Sequence, residues 1–253
     1  MQSIHFLGKI LASPAHVTVA SAPTIKWEAA DLGLALEITC TIEESNIDVE
    51  CRVEEYRPEY FDEFYRRALD ICRAQVDLVA FKMGWGLTVV FEQFVDCNGI
   101  AAQIVHKNES LAPLCTAFSL DQGFDEIFAK VVLDIPLFMA LRDLIEAISQ
   151  PHLSPVNCAR AMDRLKHLVA TPGMNDKHAW QQLRQALQID EAYLKYMTDH
   201  SANPRHGRPG HTPGIVTAEV TRRAWVIMNR YFEYLKRGNA VLDPSEFPLL
   251  IDP

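Results

Sequence analysis

Short runs in which apolar and polar residues alternate dominate the first part of the chain. Alternation places every second side chain on one face of a strand, so it predicts β-strands with one buried face. These runs are residues 5–11, 16–20, 34–42 and 47–54. Because only the polar Glu44-Ser45-Asn46 separates the last two, they are predicted to form a hairpin.

A helical pattern follows at residues 58–83, where apolar positions recur with a spacing of three and four. Pro58 suits a first helical turn, and Gly84-Trp85-Gly86 is a stop signal. Residues 87–95 and 100–106 are predicted to form a second hairpin around an Asn-Gly turn. Strands, one long helix and further strands indicate an α+β module.

From Phe124 onward the pattern is helical almost throughout. Helices are predicted at 124–150, 155–170, 175–188, 190–202 and 217–237. Pro136 should kink the first of them or split it in two, and Ser154 should cap the second. Five helices with short connections predict a bundle. The predicted fold class is therefore α+β, with a β-rich module over 1–120 and an all-α bundle over 121–253, whose last residues, 239–253, form a surface tail.

Composition excludes several classes of protein. The hydrophobic share of 49% and charged share of 23% are typical of a globular chain, and no apolar run is long enough to span a bilayer. The six cysteines include no Cys-x-x-Cys pair and have no neighbouring His at metal-ligand spacing, so no metal site or other cofactor is predicted. Cysteines among apolar neighbours are typical of reduced, buried thiols, which favours a cytoplasmic protein without a membrane segment.

Charge is spread unevenly along the chain. Residues 1–126 hold 9 Lys and Arg against 20 Asp and Glu, whereas residues 195–237 hold 8 Lys and Arg against 3 Asp and Glu. A polyanion such as RNA would be repelled by the first region and attracted by the second. The acidic module is therefore predicted to take a protein partner, and any RNA contact should lie near the C-terminal helices. A solvated basic helix end would explain the same charges.

The segment 201–214 carries the most distinctive chemistry. It holds two His, two Arg, three Pro and three Gly, and it is predicted to be a loop before the closing helix. Arginine can hold a phosphate through paired donors, and histidine can exchange a proton near neutral pH. Arg222 and Arg223, in the first turns of the closing helix, could extend this basic surface, or they could form a solvated helix face.

Residues 124–237 resemble the HEPN domains. The resemblance rests on Arg205 and, six positions later, His211, with the polar His206 following the arginine, ahead of a long closing helix that ends in Tyr234-Leu235-Lys236-Arg237-Gly238. It implies a homodimer and metal-independent RNA cleavage, in which Arg205 stabilises the phosphorane charge and His211 transfers a proton. His206, Arg208, Arg222 and Arg223 would then contact RNA.

Two functions follow as competing hypotheses. The first is an interaction or regulatory protein without catalysis, in which the α+β module recognises a partner and the HEPN-like bundle is a scaffold. The second is a metal-independent endoribonuclease of the HEPN type, acting in a toxin or phage-defence setting. The segment 201–214 would also serve simply as a hydrated linker between two helices.

Overall fold

A computed structural model describes residues 1–11, 16–19, 23–29, 33–104, 108–150, 153–206 and 212–252. The chain divides into two compact units, Met1–Val105 and His106–Pro253. The first unit holds an antiparallel sheet and one long helix, and the second is helical, so the α+β class predicted from the sequence is confirmed. Among the described residues, no helix combines the length and the apolar character needed to cross a bilayer.

Among the described residues of the first unit, six strands form one antiparallel sheet. Their order is β2-β3-β4-β1-β5-β6, and their bounds are β1 Gln2–Leu11, β2 Ile25–Ala29, β3 Leu34–Glu43, β4 Asn46–Val53, β5 Thr88–Val95 and β6 Ala101–Gln103. Both predicted hairpins are present, as β3–β4 and β5–β6. Within the described residues, the run predicted at 16–20 makes only an isolated bridge from Val19 to Ile42, and β2 was not predicted.

Helix α1, Phe61–Met83, follows a 3-10 turn at Pro58–Tyr60 and covers the apolar face of the sheet. It ends at Gly84, whose φ of 66° is accessible to glycine without strain. Between sheet and helix, Phe6 packs against four aromatic rings: Phe61, Tyr65, Phe91 and Phe94. Three cysteines, Cys40, Cys51 and Cys72, are buried in the same core.

Gly8 marks a register shift where β1 pairs with β5. A Cβ atom at this position would lie 2.2 Å from the backbone oxygen of Val90. The close approach of the two strands therefore requires glycine.

Six α-helices follow among the described residues of the second unit: α2 Phe124–Leu133, α3 Ile135–Ser149, α4 Ser154–Val169, α5 Asp176–Leu187, α6 Glu191–Arg205 and α7 Gly214–Lys236. The first predicted helix is indeed split. Asp134 ends α2 and caps α3 by accepting the N–H of Leu137 at 3.0 Å, and Pro136 occupies the first turn of α3. Asn175 and Asp190 cap α5 and α6 in the same way.

Helix α4 lies at the centre of the second unit and contacts α3, α5, α6 and α7. Its inward side chains, including Cys158, Met162 and Leu165, are fully buried. The prediction that Ser154 caps this helix is wrong. Its buried hydroxyl instead donates to the carbonyl of Ala147 on α3, while Leu153 occupies the cap position.

The two ends of the second unit are tied into it. Before α2, the backbone N–H groups of Thr116 and Ala117 donate to the side chain of Asn229 on α7, so segment 108–120 belongs with the helices and the units separate near residue 105. After α7, Leu242 is fully buried and Leu250 forms a parallel bridge with Ile189. The segment after α7 therefore contributes side chains to the core, whereas its prolines suggested only a surface tail.

Candidate functional site

Arg205 is the last residue of α6, so the prediction that it lies in a loop is wrong. The helix continues through Pro204, and the N–H of His206 donates to the carbonyls of Ala202 and Asn203 at 3.1 and 3.2 Å. Arg205 and His206 are both exposed. Arg208 and His211 lie outside the described residues. Of the Arg-His pair, the structure therefore describes Arg205, together with the adjacent His206.

The guanidinium of Arg205 is held only loosely. Its nearest carboxylate is Asp163 on α4, with Nη1 and Oδ2 3.9 Å apart, and 45% of its side chain is exposed. At that distance no hydrogen bond forms, so the pair offers little energy to hold the side chain in place. Arg205 is therefore free to turn toward an incoming anion.

Two further arginines lie on α4, three residues before and one residue after Asp163. Arg160 and Arg164 both bind Asp143 of α3, at 3.3 and 2.9 Å. We call these two arginines and Arg205, which reaches α4 at Asp163, the α4–α6 basic cluster. Sequence reasoning missed Arg160 and Arg164 because the basic window was counted from residue 195, although their four-residue spacing on a predicted helix was a usable signal.

Asp143 fixes the geometry of the basic cluster. Its side chain is only 3% exposed, and it receives both arginines from the neighbouring helix. A buried carboxylate loses its hydration, and the free energy of this loss is offset when cationic partners donate hydrogen bonds to it. Arg160 and Arg164 are thus held in place, while their outer surfaces stay open to solvent.

Arg222 is engaged within α7. Its guanidinium makes two hydrogen bonds of 2.8 Å to Glu219, one turn earlier. The bonds that Arg222 and then Arg223 donate lower the pKa of Glu219 to about 2, against the opposing effect of partial burial. Two of the five N–H donors of Arg222 are therefore committed within the helix, while 41% of its side chain stays exposed.

Arg223 is buried, which corrects the prediction that it extends a basic surface. It donates to Glu219 at 2.7 Å and to the carbonyl of Tyr193 at 3.3 Å, and it pairs with Asp252 at 2.6 Å. Its guanidinium also stacks 4.0 Å from the ring centre of Tyr196. With 2% of the side chain exposed, Arg223 is not available to a nucleic acid.

Much of the positive charge that the structure describes within residues 195–237 is buried or paired. Arg230 is buried and donates to the carbonyls of Leu187, Gln188 and Pro248. Arg237 pairs with Glu246 at 2.8 Å. Most of the arginines of α7 hold the helices and the C-terminal segment together, whereas Lys195 and Arg205 of α6 are exposed.

Helices α2 and α3 carry a second feature that the sequence pattern did not single out. Their inward sides pack into the core, but large apolar side chains also cover their outward sides, with exposed fractions between 42% and 87%. We call these eight residues the α2–α3 apolar face: Leu120, Phe124, Phe128, Val132, Leu133, Ile135, Phe138 and Ile145. Apolar surface of this extent is typical of protein interfaces and uncommon on isolated monomers.

The solvent face of the sheet in the first unit is polar and internally paired. Ion pairs join His5 to Asp48 at 2.8 Å and Lys9 to Glu92 at 3.1 Å. A hydrogen bond from Arg52 lowers the pKa of Glu50, which Ser3 also contacts at 2.7 Å. An open depression of about 480 Å³ lies on this face, but Lys9 and Glu92 in its lining already neutralise each other. Among the described residues, no group of three His, Cys, Asp or Glu side chains is placed to hold a metal ion.

Comparisons with known proteins agree with the two-unit division. Residues 4–105 match the family model described as the DUF8168 N-terminal domain, a domain of unknown function, and residues 124–236 match the model of the DUF8168 C-terminal domain. A search of curated proteins and a search of solved structures each found no match. The two models occur in order and together span more than four fifths of the 253 residues, so the chain belongs to the DUF8168 family.

Proposed function

We propose that this chain is an interaction protein whose helical unit binds a protein partner on the α2–α3 apolar face. The observation that carries this proposal is the area of the face. The exposed fractions of its eight residues add up to about five whole residues. Their area is at most roughly 1,000 Å² when each is given the roughly 200 Å² of an aromatic side chain. The largest apolar patch on a typical monomer is about 300–600 Å².

The packing of the helical unit does not explain these outward side chains. The core of the unit is already filled on the inner sides of the same helices by Ile127, Val131, Leu137, Ala140 and Leu144. Each outward residue therefore adds apolar surface in water without adding to the core. Such an arrangement is stable in a soluble protein when another molecule covers the surface.

Site-specific photo-crosslinking in cells that naturally contain the protein tests this proposal. Benzoylphenylalanine is placed at Phe128, in the middle of the face, and at Gln181, an exposed polar position of α5, as the matched control. We expect a covalent adduct with a protein from position 128 and none from position 181. A second variant carries benzoylphenylalanine at Phe138 of the same face. If neither Phe128 nor Phe138 yields an adduct when replaced in this way, the proposed function is wrong.

A second candidate function is metal-independent RNA cleavage of the HEPN type, with a homodimer as its active form. The observation that favours it is the exposed, loosely held Arg205 at the end of α6. Arg160 and Arg164, both partly exposed on α4, add positive charge to the same unit. In this proposal Arg205 neutralises the phosphorane, His211 transfers a proton, and His206 and Arg208 contact the RNA. The acidic first unit would engage the protein that regulates cleavage, in a toxin or phage-defence setting in the cytoplasm.

Cleavage of labelled RNA in EDTA tests the second candidate. We expect activity in the wild type, its loss in Arg205→Ala and His211→Ala, and its retention in Lys195→Ala, which removes an exposed charge of α6 outside the motif. Cleavage that stops in EDTA, or that survives both motif substitutions, would exclude this mechanism. Folding of each variant is verified by circular dichroism.

A further inference from the structure

We infer that the partner on the α2–α3 apolar face is a second copy of this chain, related to the first by a two-fold axis. The inference rests on the proposed function, since it requires that the face bind protein, and it adds the identity of the occupant. Three observations support a second copy over an unrelated protein: the area of the face, its shape along two successive helices, and the signs of the two charges at its centre.

The area agrees with what a dimer needs. A standard protein interface buries about 800 Å² on each partner, and the face offers at most roughly 1,000 Å². In a two-fold dimer the same patch is used on both molecules, so one apolar face is sufficient. No further surface has to be assumed on another protein.

The apolar residues follow two helices that meet at Asp134. On α2, Phe124 and Phe128 stack with ring centres 6.3 Å apart. On α3, Ile135, Phe138 and Ile145 recur at helical spacing on the outward side. Two consecutive apolar helices permit a crossed arrangement, in which α2 of each copy lies on α3 of the other.

Charge complementarity identifies this crossed arrangement as the favourable one. On α2, the exposed Asp125 lies in the first turn on the side opposite the buried Ile127, next to a second exposed carboxylate, Glu126. On α3, the exposed Arg142 lies on the outward side between Phe138 and Ile145. Crossing the helices brings Asp125 of each copy to Arg142 of the other, twice per dimer, whereas pairing α2 with α2 would oppose like charges.

The competing partner of Arg142 is weak. Its Nε lies 3.0 Å from Glu146, one turn along the same helix, where 61% of the Arg142 side chain and 35% of the Glu146 side chain are exposed. Pairs of this kind contribute little to stability, so Arg142 can turn toward a carboxylate of a second molecule without a large loss. Arginine among aromatic and aliphatic side chains is also the composition found at the centre of many interfaces.

Sedimentation equilibrium of the purified full chain tests the inference first through the apolar residues. We expect the wild type to be dimeric at micromolar concentration. Phe128→Asp should raise the dimer dissociation constant more than about 30-fold, as expected for a residue at the centre of an interface. Phe81→Asp, which alters a still more exposed phenylalanine on α1, should leave the dissociation constant unchanged.

A charge exchange tests the crossed geometry without depending on the apolar core. Arg142→Asp alone opposes two carboxylates across the axis, and Asp125→Arg alone opposes two guanidinium groups, so each variant should dimerise at least about 10-fold more weakly than the wild type. When the two variants are mixed, both contacts of the mixed dimer are again between opposite charges. We expect the mixture to form dimers with near wild-type affinity.

The outcomes separate this inference from the proposed function on which it rests. A wild type that stays monomeric at about 100 µM, or a mixture of the charge variants that stays monomeric, would overturn the second-copy inference. If position 128 crosslinks to a different protein while the purified chain is monomeric, the proposed function stands and the inference fails. Absence of any adduct from the face contradicts both.

Discussion

The arginines at the end of α6 and those of α7 are close in sequence but occupy opposite environments. Arg205 is nearly half exposed, and its nearest carboxylate is 3.9 Å away. Arg223 is 2% exposed and has hydrogen-bond, ionic and aromatic partners from three parts of the chain. One stretch of positive sequence therefore contains both a cation available to a ligand and a cation that holds the fold together.

This difference shows that the availability of a charge depends on its partners. A count over residues 195–237 indicates a basic region. In the structure, however, the arginines of α7 form ion pairs and hydrogen bonds with Glu219, Asp252 and several backbone carbonyls. The carboxylate that faces Arg205 is too distant to do the same. Substitutions in the two regions should therefore separate stability from ligand binding.

The largest expected effect follows from Arg223→Met. The substitution keeps most of the volume but leaves Asp252 without its cation and removes the donor to the carbonyl of Tyr193. Breaking one partner of a buried pair costs about 3–5 kcal/mol, so we expect a loss in the free energy of unfolding of about 3 kcal/mol. Urea denaturation followed by circular dichroism measures it. Arg222→Met, on the same helix but partly exposed, is the control. Equal losses in the two variants would contradict the expected difference between a buried and a partly exposed arginine.

A smaller effect, which depends on pH, should follow from Glu219→Gln. Since the folded pKa of Glu219 is about 2 and the usual value is 4.5, the carboxylate stabilises the fold fully above pH 4.5, and this stabilisation is lost as the pH falls toward 2. We expect the variant to be less stable than the wild type by about 1–2 kcal/mol at pH 7 and equally stable near pH 2. Urea midpoints at pH 7, 4 and 2.5 measure this. A difference that does not change with pH would show that the ion pair is not its cause.

The smallest effect on stability is expected from Arg205→Ala. An exposed ion pair with a 3.9 Å separation contributes little, so the free energy of unfolding should change by less than about 0.5 kcal/mol. If the α4–α6 basic cluster binds RNA, the same substitution should weaken binding and reduce its dependence on salt. Thermal unfolding and fluorescence anisotropy with single-stranded RNA measure the two quantities. A marked loss of stability would place Arg205 with the structural arginines of α7.

Local patterns predicted most of the elements. Alternation gave β1 and both hairpins, and the positions of Pro136, Asn175 and Asp190 gave the helix ends in the second unit. The five-residue β2 was missed because its polar Lys26 and Glu28 belong to an edge strand that packs on one neighbour only. The end of α6 was missed because Pro204 suggested a break that the helix tolerates.

The candidate site was less predictable because it depends on contacts between distant residues. Arg205 was identified from its spacing to His211, but its approach to Asp163 depends on the packing of α4 against α6. Burial of Arg223 by Asp252 joins residues 29 positions apart. Likewise, the apolar pattern of α2 and α3 revealed two helices, while only the packed unit shows that both of their sides are apolar.

The reactivity of the buried cysteines reports the local unfolding of each unit. In the first unit Cys51 is buried, and in the second Cys158 is buried; the loss of hydration raises the pKa of each thiol to about 12. Alkylating reagents attack the thiolate, so each of these side chains reacts only when its own unit opens. The partly exposed Cys97 reacts without opening and serves as an internal standard. Timed alkylation and mass spectrometry of the intact, unmodified chain would therefore give a separate opening rate for each unit.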